Sequence, residues 1–538
     1  MHRCLKVAEI QSTIFECYDA DQESSTLASL ARTSTAFTES ALNLLWRDLH
    51  SLAPLIMVMP DDLWNVEIDE ERVYGGRIDT PLMKLSLTRA LEESDWSRYD
   101  YYAQRVHSFG GTKKFPRSGQ THLDPSVLNM LSASRPARPL LPNLRSLRLS
   151  FKPRTPDMRT TLLLTPALLS STLTQFSLFS RTAVPPELPE FLSSIARLCP
   201  NLRTVSIRLL ENNLASPELA SAVEKLILSL RHLESLDVHK IPIHMSADMI
   251  RHLGGLPALR RCVIDNQVGF DLPSLQLRHL LTTTTTGSWF PELRELSFGA
   301  PTLESAGEMI ASLECPLQRL VVTISDDARA PQPLSAVASL TRSFHRHACA
   351  SSLTVLSIQC YGLQQTHEDL EAPAAFASLL SLPALQVLDI QLPHASQPTD
   401  TWLAEAAASW PHLESLRITS GSHGSPRATL AGLIPLVVHC PRLRGLSLSL
   451  AATPFSPQAV PPGAGNTAIT ALDLQRSTVV GTPPPAPVRV LRCLLLLFPR
   501  LQALAVEGWR SREERRAWSR VVGLLEESVQ SPPRGEMD

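Results

Sequence analysis

The chain has 538 residues, 43% of them hydrophobic and 19% charged, and a formal net charge of −2. That length exceeds one compact core, and the apolar share suits a folded chain rather than a disordered one, so several domains or a repeat array are expected. The near-zero charge removes the global basic field that nucleic-acid or anionic-membrane binding would call for.

Nine cysteines are spread thinly, in odd number and without a CxxC spacing, which predicts free thiols in a reducing compartment. The opening MHRCLKVAEIQ lacks the apolar centre of a secretory leader. The most apolar run, Val490–Phe498, is half a membrane span and carries Arg492, so it predicts a buried helix. A soluble intracellular chain is expected, cytoplasmic or nuclear, with no membrane or nucleic-acid partner.

Residues 1–50 form a unit of their own. Ile10, Ile14 and Phe15 share one helical spacing, Leu27, Leu30 and Ala31 another, and Leu42, Leu45 and Trp46 a third. Three short amphipathic helices are predicted, with Thr38 and Ser40 as candidate caps of the third. On spacing alone this is a small helical bundle. The segment from Cys4 to Leu49 also resembles an F-box-like domain of the kind found in fungal proteins that carry leucine-rich repeats. The matching residues are Val7, Ala8, Glu9 and Ile10 at the start and the pair Leu45 and Trp46 at the end, with Ala8 standing where the family pattern has proline. The resemblance implies docking onto the Skp-type adaptor of a cullin-type ubiquitin ligase through Val7, Ala8, Ile10, Ile14, Phe15, Leu27, Leu30, Leu45 and Trp46.

Residues 51–140 read as a helical linker and N-terminal cap. Pro60–Trp64 is a turn followed by an aromatic anchor. Asp95–Phe109 predicts one helix with Trp96, Tyr99, Ala103 and Val106 on its buried face. Gly110–Gln120 is a basic, turn-rich loop.

From residue 141 a pattern takes over. LPNLRSLRL, Leu141–Leu149, carries Leu144, Leu147 and Leu149 as anchors of an L-x-x-L-x-[apolar] unit. The first anchor returns at Leu173, Leu202, Leu233, Leu259, Leu293, Leu317, Leu353, Leu385, Leu413, Leu443, Ile469 and Leu501. The steps wander between roughly 24 and 36 residues around a mean of about 30, the range of a solenoid whose units must stack to bury their apolar faces. Each unit predicts a strand, then a helix such as Pro189–Leu198, Ser216 with Pro217 onward, or Thr401–Trp410 behind Asp400. Repeated strand and helix give a parallel sheet covered on one side, coiling right-handed.

Residues 141–510 therefore resemble leucine-rich repeats, about 13 of them, without the asparagine that commonly follows the strand. The expected fold is an α/β solenoid: a three-helix F-box-like unit, then an irregular repeat arc with its parallel sheet on the concave face. Glu513–Glu527, within 511–538, predicts a C-terminal cap helix before a disordered tail.

Function is sought on the concave face. Period-two alternation places Arg148, Asp237, Asp389, Arg417 and Asp473 in its middle row and Phe179, Arg208, His239 and Asp265 in the next. Mixed charge does not track phosphates, so a protein partner is the expected occupant, and a bare solvated sheet is the alternative. Phosphate-loop, dinucleotide, zinc-protease and nucleophile-elbow motifs are missing from the sequence, so neither an enzyme nor a cofactor or metal is expected. The function expected is a substrate receptor of an SCF-like ligase, docking the adaptor at one end and a protein on the repeats. The alternative is an interaction scaffold with no ligase role.

Overall fold

The computed structural model describes residues 13–14, 24–68, 83–110, 121–135, 138–151, 162, 165–181, 184–209, 217–241, 243, 245–265, 289–300, 302–313, 315–324, 340–344, 351–360, 376–392, 397–420, 426–479, 487–507 and 512–530. The chain divides into two compact units, Met1–Ile243 and His244–Asp538.

The first unit begins with a helix pair, α1 (Ser24–Thr33) and α2 (Thr35–Arg47), which meet at Ser34. The Ser34 hydroxyl accepts the Ala36 N–H at 3.4 Å, so the cap lies upstream of Thr38 and Ser40, whose places fall inside the helix. Leu27 and Leu44 form the small core between the helices, with Leu30, Phe37 and Leu45 packed around it.

Helix α2 runs straight into β1 (Asp48–Leu49) and is followed by α3 (Ala53–Met57). Strands β2 (Trp64–Ile68) and β3 (Met83–Leu87) come next, then α4 (Trp96–Ala103) and β4 (Ser108–Phe109). Trp96, Tyr99, Ala103 and Val106 are all buried, as their spacing predicts. The helix nonetheless stops at Ala103, because Ser108 and Phe109 are drawn into the sheet. Strand β5 (Thr121–Leu123) and α5 (Pro125–Ser134) complete the segment. Strand β3 pairs antiparallel with β2 and parallel with β5, a three-stranded sheet that the helical reading of 51–140 did not contain.

The repeats follow. Strands β6 (Ser146–Phe151), β7 (Gln175–Ser180), β8 (Thr204–Leu209) and β9 (Ser235–His239) lie side by side with α6 (Leu188–Leu198) and α7 (Pro217–Ser229) between them. In this unit the order is β1, β4, β6, β7, β8, β9, parallel throughout. The anchors stand in register, Leu147 beside Phe176, Val205 and Leu236.

The second unit continues with α8 (Ala247–Gly254), β10 (Arg261–Asp265), β11 (Glu295–Ala300), α9 (Leu303–Ser312), β12 (Arg319–Ile324), β13 (Val355–Cys360) and β14 (Val387–Leu392). Then come α10 (Asp400–Ser409), β15 (Ser415–Ser420), α11 (Ile434–His439), β16 (Gly445–Leu448), β17 (Ala471–Asp473), α12 (Pro487–Leu497), β18 (Ala503–Ala505) and α13 (Arg512–Gln530). Strands β10 to β18 pair in sequence order, all parallel. Cys262, Leu296, Leu320, Leu356, Leu388, Leu416 and Leu446 make one inward row. This is a large open parallel sheet backed by helices, as an α/β solenoid requires.

Two devices set the rhythm. Helices end on a buried plug followed by proline: Cys199–Pro200, Trp410–Pro411, Cys440–Pro441 and Phe498–Pro499. Each plug gives its N–H to the last helical turn, as from Trp410 to the Ala406 carbonyl at 2.9 Å, and the proline stops the helix. Two of the plugs are cysteines, and burial pushes the Cys199 and Cys440 thiols up to about 11.

At the turn before most repeat strands, one carbonyl accepts two N–H groups from the next repeat. Arg145 takes Thr174 and Gln175, and Gln386 takes Glu414 and Ser415. Asn143, Thr172, Asn201, Ser352 and Asn466 add side-chain bonds to backbone carbonyls of the preceding rung, such as Asn466 Nδ2 to Leu443 O at 2.7 Å. A polar ladder thus runs along the turns before the strands.

Asp400 is not the cap of α10. Thr399 takes that place, accepting the Trp402 N–H at 3.2 Å. The Asp400 carboxylate instead reaches the next repeat, accepting the Thr429 N–H at 2.6 Å and its hydroxyl at 2.7 Å. The last helix, α13, brings Trp518, Val521 and Leu525 into the core, and Trp518 donates its indole N–H to the Ser477 carbonyl at 2.9 Å. It packs on α12 and β18, the place of a cap on the edge strand.

Candidate functional site

The N-terminal candidates separate into distinct environments. Val7, Ala8, Ile10 and Phe15 lie outside the described residues, and Ile14 is exposed. Leu27 is wholly buried inside the helix pair, so it supports a surface without forming one. Leu30, Phe37 and Leu45 are half-buried around it. Trp46 turns to the body of the first unit and stacks on Tyr102, ring centroids 4.5 Å apart.

Close to that stack, the buried Arg105 ties α2 to α4. Its guanidinium bonds Glu39 at 2.7 Å, donates to the Tyr101 carbonyl and lies over the Tyr101 ring at 4.1 Å, while the Tyr101 hydroxyl bonds Glu39 at 3.1 Å. None of Glu39, Tyr101, Tyr102 and Arg105 was singled out by sequence. The only signal was the aromatic density of the 99–102 stretch.

The open face of the first unit carries two predicted rows. Arg148, Ser177, Ser206 and Asp237 stand side by side, and Ser150, Phe179, Arg208 and His239 form the next row. Arg148 and Arg208 are exposed, and Phe179 is half-buried. Asp237 sits between Arg208, with which it forms an ion pair, and His239, whose Nε2 lies 2.7 Å from it. Burial alone would raise its carboxyl. The bonds to His239 and Arg208 outweigh that and hold it at about 2. Arg208, Asp237 and His239 thus satisfy one another.

In the second unit the middle row reads Val263, Ser297, Val321, Ser357, Asp389, Arg417, Ser447, Asp473 and Ala505. Asp265 lies at the end of β10. Asp389 stands beside Arg417 in register, yet the two form no ion pair. Desolvation raises the Asp389 carboxyl, and the pull of Arg417 offsets only part of it.

Beyond Arg417 the polar groups close on themselves. The Ser447 hydroxyl donates to Asp473 at 2.7 Å and accepts from Gln475 Nε2 at 2.8 Å, and the Gln475 N–H bonds Asp473 at 3.0 Å. Gln475 Nε2 also reaches the Ile418 carbonyl at 3.2 Å. These bonds hold Gln475 at a φ of 41°, in the left-handed region. The positions beside this network are small: Gly445, Ala471, Ala503 and Ala505 floor a shallow depression walled by Arg417 and Asp473.

Among the described residues no three His, Cys, Asp or Glu side chains converge on a metal-sized space, and no helix is long and apolar enough to cross a membrane. His345, His347 and Cys349 lie outside the described residues, as do the basic loop from 111 to 120 and the threonine run Thr282–Thr286.

No protein-family model matches the chain, and no curated protein matches its sequence. Solved structures are similar to it at low identity, among them the two that follow. The crystal structure of the Rad7 and Elc1 complex in yeast is 16% identical with a TM-score of 0.38, over 65% of this chain and 80% of that one. A protein from Bacteroides fragilis is 12% identical with a TM-score of 0.19, over 53% of this chain and 61% of that one. Likenesses this slight carry no functional argument, and the fold rests on the strand registers themselves.

Proposed function

We propose that the chain is a substrate-receptor subunit of a cullin-type, SCF-like ubiquitin ligase. The N-terminal helix pair docks a Skp-type adaptor, and the open sheet face holds a protein for ubiquitin transfer. The observation that carries this is the arrangement of α1 and α2. Their two-leucine core leaves Leu30, Phe37 and Leu45 half-covered on the element that leads into the repeat sheet, and the same segment resembles an F-box-like domain. A helix-mediated dock needs apolar area beyond what its own core consumes. The role is positioning: tethering raises the partner's effective concentration at the transferring enzyme, and the chain itself catalyses nothing.

A second reading, an interaction scaffold without a ligase role, is favoured by one specific contact set. Trp46 on Tyr102 and Arg105 on Glu39 engage α2 as part of the first unit's packing, and Ala8 replaces the family's proline.

Capture of a purified Skp-type adaptor by the full chain separates the two. The ligase reading expects binding by wild type and at least a tenfold loss in Leu45→Asp. Trp46→Ala is expected to weaken capture less, since its ring faces Tyr102. A folded wild type that captures no adaptor removes the ligase role and leaves the scaffold.

A further inference from the structure

We propose that the depression between Arg417 and Ala505 seats an extended segment of a protein partner, with an Asp or Glu side chain of that segment held by the Arg417 guanidinium. This deepens the reading of the sheet face as a protein-binding surface and rests on it.

Three observations converge. The first is an unused cation. The bonds among Ser447, Asp473 and Gln475 leave Arg417 out, although Ser447 is its neighbour in register. Asp389, on its other side, is too far for an ion pair and is itself held up by desolvation. The Arg417 side chain is exposed and makes no hydrogen bond or ion pair with a described residue. Its planar fork of donors therefore faces solvent over the depression, and a carboxylate is the group that fills such a fork with two parallel bonds. By contrast, Arg208 in the first unit has its carboxylate built in at Asp237.

The second observation is the floor. Gly445, Ala471 and Ala503 occupy the open-face row that holds glutamate, arginine or valine in other rungs of this unit, at Glu295, Arg319 and Val355, and Ala505 ends the middle row that carries Asp389 and Arg417. Small residues on a strand let another backbone approach closely.

The third is span. Arg417 and Ala505 lie three strand spacings apart in the sheet order. At about 4.8 Å per spacing that is roughly 14 Å, the length of about four residues of extended chain. The occupant is thus a short extended peptide with an acidic side chain at the β15 end and small or slender residues over β16 to β18.

The test is selection of a random dodecapeptide library displayed on phage against the full chain, with wild type, Arg417→Gln and Ala505→Phe run in parallel. Ala505 is exposed on the edge strand, so the phenylalanine fills the depression without entering the core. Circular dichroism melts check that all three are folded. The expected result is at least tenfold enrichment of Asp or Glu followed by small residues on wild type, and loss of that class on both variants. Selection of no acidic class by wild type, or the same class by Arg417→Gln, overturns the proposal. So does a concentration-dependent dimer that Arg417→Gln abolishes, which would assign the depression to a second copy of this chain. Adaptor capture through α1 and α2 is measured on the same proteins and is expected to be unchanged. Its failure would remove the ligase role while leaving the peptide site intact.

Discussion

Along β6 to β9 the exposed Arg208 is met by Asp237, and His239 closes on the same carboxylate. Along β14 to β18 the exposed Arg417 has no ion-pair partner among the described residues, while Asp473 is engaged by a hydroxyl and a backbone amide. The rungs are alike in both units, with the same parallel registers and the same inward leucine rows. What differs is the open face, and that difference is chemical rather than architectural. Neutralisation around Asp237 ties Arg208 and His239 together on the first unit's face, which also carries the exposed Arg148 and one half-buried aromatic, Phe179. On the second unit's face, Arg417 without an ion-pair partner among the described residues stands beside a small-residue floor, and this is the ground of the proposed peptide site. A solenoid can vary its outward rows freely because only the inward rows hold the stack together.

The largest effect tests that separation of inward from outward. Leu416 and Arg417 are consecutive, yet Leu416 is fully buried and Arg417 exposed. Leu416→Ala is expected to cost about 2–5 kcal/mol in urea unfolding, through lost burial and a residual cavity. Arg417→Ala is expected to stay within about 0.5 kcal/mol. Comparable losses from the two would mean that the open face is structural, and the comparison between units would lose its meaning.

Next in size is Asp237→Asn. The Asp237 carboxyl, held at about 2 against an ordinary 3.8, binds fewer protons folded than unfolded in between. Its contribution is therefore present above about pH 4 and is lost as pH falls toward 2. Asp237→Asn should remove that acid limb and cost about 1–2 kcal/mol at neutral pH, since two charge-assisted bonds go. Denaturant unfolding from pH 2 to 7 reads both. A variant with the wild-type acid limb would show that Arg208 and His239 do not hold the Asp237 carboxyl down.

The rungs and the rows were legible because strands alternate with period two, so the spacing of leucines fixed which residues face outward: Arg148, Asp237, Asp389, Arg417 and Asp473 fall in the middle row at their predicted strands. Caps were less legible. Ser34 and Thr399 lie next to other polar residues that could bond the same N–H groups, and sequence does not rank them; Asp400 is drawn off by Thr429, a contact 29 residues away. The small sheet of β2, β3 and β5 was missed because its strands are far apart in sequence and mostly half-exposed, with Leu85 as a lone buried residue of β3. The register of Arg417 was readable, but its isolation was not. That depends on Ser447 and Gln475 turning toward Asp473, a choice of hydrogen-bond partners made only in three dimensions.

The smallest effect probes the second unit's face through Asp389. Desolvation raises this carboxyl, and Arg417 holds it partly down. A raised carboxyl keeps its proton longer in the folded chain, so stability falls as pH rises from the unfolded value through the folded one. Asp389→Asn should abolish that fall, which is read as the difference between variant and wild-type urea midpoints across pH 3 to 7. Arg417→Gln removes the pull and should move the Asp389 titration further up, as followed by NMR of the labelled side-chain carboxyl. A bound acidic peptide that engages Arg417 neutralises the same charge, so it should move Asp389 in the same direction as the substitution does, and should have no effect once Arg417 is gone. An Asp389 titration indifferent to Arg417→Gln would mean that the guanidinium is directed away from β14, and the depression would lose the cation on which its selectivity depends.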